Sequence, residues 1–137
     1  MKRRIFALAC LTSALVCGAR AQSAPDAQWI GVWEGKLDGQ PGVTLTLASD
    51  TGELGGTLVL NLIKKEEGEQ VHVAASESHV LLHPRLNGNT LLFQVRKIDG
   101  SGDLRDFRVT LTPEGKARIH CTNCGADAPQ VDMDRLW

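Results

Sequence analysis

The stretch WIGVWEGKLDGQPGVTLTL, residues 29–47, decides how the rest of the chain is read. Trp29, Gly31, Trp33, Gly35 and Leu37 fall on one face of the first run, and Val43, Leu45 and Leu47 on one face of the second. Alternation with period two is the pattern of a strand buried on one side. The intervening DGQPG, residues 38–42, holds the Asp-Gly and Pro-Gly pairs that turn a chain back on itself. The stretch therefore predicts an antiparallel hairpin with threonines outward and aliphatic side chains inward.

The same period continues toward the C-terminus. LGGTLVLNLI (54–63) reads as a longer strand whose glycines suggest a bend or bulge, with Leu58, Leu60 and Leu62 inward. KKEEGE (64–69) reads as a charged hairpin tip. VHVAA (71–75) and ESHVLLHP (77–84) read as two separate strands, with Ser76 and Ser78 near the turn between them. TLLFQVRKI (90–98) follows an NGN turn and points Leu91, Phe93 and Val95 inward. RDFRVTLT (105–112) does the same with Phe107, Val109 and Leu111. ARIHC (117–121) and QVDMDRLW (130–137) complete the series, the last with Val131 and Met133 in register. No window after the first residues sustains apolar positions at helical spacing. Short strands joined by short turns favour a meander over a Greek key, which needs a longer crossing connection. The expected fold is all-β: a single antiparallel up-and-down β-barrel of eight or nine strands over residues 29–137.

Residues 1–21 read differently. Lys2, Arg3 and Arg4 precede a short apolar run, and Ala19-Arg20-Ala21 places small residues where a signal peptidase reads them. This predicts a secretory signal peptide cut before Gln22, a polar leader over 22–28, and a secreted or periplasmic mature protein. Cys17 raises lipid anchoring as an alternative, but Val16 is bulky and Leu15 stands one place off a lipobox. The signal carries four of the 15 basic residues and none of the 16 acidic ones, so the mature part holds 11 against 16 and a net charge of −5. That balance argues against a nucleic-acid partner, which requires a basic face, and leaves no membrane span after cleavage. Cys10 and Cys17 leave with the signal, so the mature chain keeps Cys121 and Cys124.

Gly31-Val32-Trp33, set in WIGVWEGKL, resembles the G-x-W signature that opens lipocalin-type and other calycin barrels. The wider W-x-G-x-W-x-G-x-L-x-G pattern is similar to that of short secreted bacterial proteins of unknown function. The resemblance implies a meander barrel with room for a small ligand. It also implies a structural latch, in which Arg135 from the last strand stacks on Trp33 and bonds nearby carbonyls. The chain departs from biotin-binding barrels in having no tyrosine, and from lipocalins proper in having TNCGADAP, residues 122–129, where they carry a helix.

The interior of such a barrel is filled by side chains or holds one small molecule. Leu45, Leu47, Leu60, Phe93, Val95, Phe107 and Val109 are the candidate ligand-binding set, for an apolar or amphipathic molecule. No nucleophile–base constellation, phosphate loop or cofactor motif stands out, so a non-enzymatic protein without cofactor is expected. Asp132 and Asp134, two apart on a strand, share one face and are expected to point to solvent. His72, His79, His83 and His120 read as surface residues, with His72 near His79 if their strands are adjacent. In HCTNCG (120–125), Gly125 stands where haem attachment needs histidine, and the mature chain lacks the second half of a zinc ribbon. A short disulfide Cys121–Cys124 is the expected state in an oxidising compartment, with redox or metal chemistry of this pair as the alternative.

Overall fold

The computed structural model describes residues 27–137; the expected signal peptide and cleavage site, Cys17 and most of the expected leader lie outside the described residues. Nine strands follow one another: β1 (Gly31–Leu37), β2 (Gln40–Asp50), β3 (Glu53–Lys64), β4 (His72–Val80), β5 (Leu82–Asn87), β6 (Thr90–Arg96), β7 (Leu104–Leu111), β8 (Ala117–Cys121) and β9 (Gln130–Arg135). There is no helix among the described residues. All pairings are antiparallel, and the sheet order is β4-β3-β2-β1-β9-β8-β7-β6-β5. The chain is thus a meander curled into a half-barrel. Its first and last strands pair in the middle, and the two edges of the sheet are β4 and β5, neighbours in sequence.

The hairpins follow from their turn residues. Asp38-Gly39 and Thr51-Gly52 both have positive φ at each residue, 50° and 78° in the first and 51° and 83° in the second. Two-residue loops with this geometry match the right-handed twist of the strands they join. Alternation then sets the register. Leu45 faces Leu58 across β2–β3, Phe93 faces Phe107 across β6–β7, and Val109 faces Ile119 across β7–β8. These side chains close one core with Trp29, Trp33 and Met133. Each fully buried aliphatic side chain contributes roughly 1.5–3 kcal/mol relative to an exposed one.

The structure departs from the sequence reading around β4. VHVAA and ESHVLLHP are not separate strands: residues 72–80 form one strand, and the break falls at Leu81. Ser76 does not turn the chain. Its hydroxyl donates to Asn61 Oδ1 on β3 at 2.6 Å, which holds it in the ladder. His83 has a positive φ of 51° and Pro84 has no N–H, and the β5–β6 register shifts there between Leu82 and Arg85. The glycines of β3 mark no bulge either. Pairing with β2 runs unbroken past Gly55 and Gly56, and the shift lies at Leu62/Ile63 against β4. Gly56 instead permits close approach, because a Cβ there would run into the carbonyl oxygen of Thr46. Leu62 is 53% exposed rather than inward and covered, because it reaches the open end of the half-barrel. The domain also begins slightly earlier than Trp29, since Ala27 and Gln28 belong to a turn whose Ala27 carbonyl accepts from Arg135.

The seam between the two edges is closed by few contacts. The Leu81 N–H donates to Gly56 O at 3.1 Å. His79, expected at the surface, is buried. Its Nδ1 lies 3.1 Å from Arg96 O at the end of β6, and its Nε2 lies 3.3 Å from Glu77 Oε2. His72 and His79 sit on one strand, so they do not come together as strand partners.

Candidate functional site

Strand directions give the half-barrel two unlike ends. At one end the turn of residues 27–30 folds over the barrel and buries Trp29. Trp33 lies beneath it, 2% exposed, and its indole N–H donates to Trp29 O at 2.9 Å. Arg135 is the β9 partner of Trp33, and its guanidinium carbon sits 5.7 Å from the ring centroid. The same guanidinium donates to Trp137 O at 2.8 Å, to Ala27 O at 3.3 Å and to Ile30 O. One planar cation therefore ties the incoming chain, β1 and the chain end to one point. An ammonium cannot reproduce that fork. Arg135→Lys is expected to cost about 1–2 kcal/mol in urea unfolding, with the fold retained; an unchanged midpoint would mean that the fork carries no load.

The other end is open. Leu37 on β1, Val43 on β2, Leu60 and Asn61 on β3, Arg105 and Phe107 on β7, and Ile119 and Val131 on β8 and β9 line a cavity of about 470 Å³. Its remaining wall is the connection between β8 and β9, from Cys121 and Cys124 to Pro129. The lining is mainly aliphatic and aromatic, with a few polar groups at Asn61, Arg105, His120 and Asp127, which is the make-up of small-molecule sites. Asn61 is held in place: its amide donates to Pro41 O at 2.8 Å while its oxygen accepts from Ser76. Arg105 has Glu77 at 3.8 Å across the opening. His120 Nδ1 is buried without a hydrogen-bond partner among the described residues.

The candidate interior residues divide between this cavity and the core. Leu60 and Phe107 line the cavity, while Leu45, Leu47, Val95 and Val109 are packed in the core. Phe93 stacks on Phe107, with centroids 5.4 Å apart and planes inclined by 11°, and also borders a second hollow with His83 and Arg85. The cavity lining from residues 124–129 escaped sequence reading, because a loop has no periodicity to reveal which side it shields.

Cys121 and Cys124 are joined as a disulfide with Cα atoms 5.5 Å apart. Cys121 is 7% exposed at the end of β8, whereas Cys124 is exposed at the cavity rim. Asp132 and Asp134 lie on the outer face and pair with Arg118 at 2.7 Å and Lys116 at 3.1 Å. The hydrogen bond from Arg118, aided by its charge, holds the Asp132 carboxyl below its usual range. Both pairs are exposed and worth little to stability. No group of three histidine, cysteine or acidic side chains is placed to hold a metal ion among the described residues.

No family model, curated protein or solved structure matches this chain.

Proposed function

We propose that this protein is a secreted, non-enzymatic half-barrel, akin to the calycin barrels, that binds one small hydrophobic or amphipathic molecule at its open end. The observation that carries this reading is the cavity of about 470 Å³, whose walls are apolar and whose polar groups stand at a few fixed points. Its volume falls in the range that holds a small organic molecule. The opposite end is plugged by Trp33 and Arg135, so entry is from the Leu62 side. The apolar body of the ligand lies against Leu60, Phe107 and Ile119, and its polar part meets Arg105 or Asn61.

Native mass spectrometry of freshly secreted protein tests for a co-purifying molecule. Titration with the neutral fluorophore N-phenyl-1-naphthylamine measures uptake directly. Leu60 is half-buried in the wall, so Leu60→Trp fills the space without opening the core. It is expected to weaken uptake about tenfold or more, equivalent to roughly 1.4 kcal/mol. If no molecule co-purifies and the parent protein binds no fluorophore, this reading is overturned.

A further inference from the structure

We propose that the Cys121–Cys124 disulfide gates this cavity, so that reduction by an external dithiol frees residues 124–129 and releases the ligand. The proposal rests on the binding role given to the cavity and names its regulation.

The connection between β8 and β9 is held unevenly. Its first two residues are pinned to β7: the Thr122 N–H donates to Asp106 O at 2.8 Å, and Asn123 Nδ2 donates to Leu104 O at 3.1 Å. In return the Asp106 N–H donates to Asn123 Oδ1 at 2.7 Å. Beyond them, among the described residues, the segment 124–129 makes a hydrogen bond only to itself, from the Ala128 N–H to Gly125 O at 3.3 Å. All six of these residues face the cavity. The bond from Cys124 to Cys121 is therefore what ties this wall to the barrel between Asn123 and the start of β9. Cys124 is an exposed residue, and exposed bridges are the ones that thiols reduce most readily.

The chemistry closes on these residues. One thiolate of the dithiol attacks Cys124 Sγ and forms a mixed disulfide. The Cys121–Cys124 bond breaks, and its electron pair leaves on Cys121 Sγ, which takes up a proton. Asn123 Oδ1 lies 3.5 Å from Cys121 Sγ and accepts from the new S–H, so the departing thiol has a partner that stays anchored to β7. The second thiolate of the dithiol then closes on the first, releasing Cys124, which takes up a second proton. The protein gains two electrons and two protons, and the dithiol becomes a cyclic disulfide. The apolar floor of Leu60, Phe107, Ile119 and Val131 remains, but one wall no longer covers it.

The test is amide hydrogen exchange and N-phenyl-1-naphthylamine binding on the same protein, oxidised and after treatment with dithiothreitol, with near-ultraviolet circular dichroism to follow the folded core. Reduction is expected to speed exchange of the Ala128 amide, the hydrogen-bonded N–H of this segment, about tenfold or more while β2, β6 and β7 stay protected. It is expected to weaken fluorophore binding by about tenfold, and reoxidation should restore both. Cys124→Ser should behave as the reduced protein without any reductant. Unchanged exchange at Ala128 after complete reduction would overturn the gate, as would a bridge that resists millimolar dithiothreitol in the folded protein. If the oxidised protein binds no fluorophore yet exchange still responds to reduction, the binding role fails and the redox control of the loop stands.

Discussion

Trp33→Ala should be the most damaging single truncation in the half-barrel, at about 3–5 kcal/mol. The side chain is 2% exposed, donates to Trp29 O and supports the guanidinium of Arg135. Its loss leaves a cavity at the plugged end and two groups without their partner. A domain of this size has a stability of roughly 5–15 kcal/mol, so the variant should lose a large share of it. Urea denaturation followed by far-ultraviolet circular dichroism measures the change. Trp33→Phe keeps most of the volume but not the indole N–H, and should cost about 1–2 kcal/mol. A cost below about 1 kcal/mol for Trp33→Ala would show that the plugged end is held by something other than this ring.

Gly56→Val should destabilise by about 3 kcal/mol, whereas Gly55→Ala one residue away should be neutral or stabilise by up to about 1 kcal/mol. A Cβ at Gly56 meets the backbone oxygen of Thr46, which no rotamer change can move aside. A Cβ at Gly55 meets nothing within 4 Å. The damage at Gly56 also spreads, because its own carbonyl receives the Leu81 N–H and so holds the seam. Thermal melts of the two variants side by side decide the matter, and equal melting temperatures would contradict the packing described for β2 and β3.

Much of the architecture is legible in the chain because the pleat converts alternation into register. VTLTL buries Val43, Leu45 and Leu47, RDFRVTLT buries Phe107 and Val109 with Leu111 half-buried, and the nine-strand count follows once turns such as Asp38-Gly39 are recognised. β4 was harder to read, since HVAASESHV has a burial pattern of exposed residues broken only by His79. Its place in the sheet comes from the backbone ladder to β3, in which Ser76 faces and bonds Asn61, 15 residues away, and no local pattern announces that pairing. His79 resembles any exposed histidine until Arg96 O and Glu77 are brought to its ring. The disulfide is legible from the CxxC spacing only together with the expected oxidising compartment, which the spacing itself does not reveal. Its position on a cavity wall depends on how the loop folds over Ile119 and Val131, which is a property of the assembled barrel.

The pairing of β1 with β9 has a consequence in time. Only three residue pairs, Trp33–Arg135, Glu34–Asp134 and Gly35–Met133, join the first strand to the last. Every other ladder links strands adjacent in the chain and can form as a hairpin as soon as its residues are available. One half of the meander, β1–β4, and the other, β5–β9, can therefore assemble locally and early, while their union must close a loop of about a hundred residues. The entropic cost of that closure rises slowly with length, but the rate of folding falls as such distant contacts dominate. During synthesis the outer edge of β1 stays unpaired until residues 133–135 have emerged, so the two halves can join through β1 and β9 only once nearly all of the described residues are available.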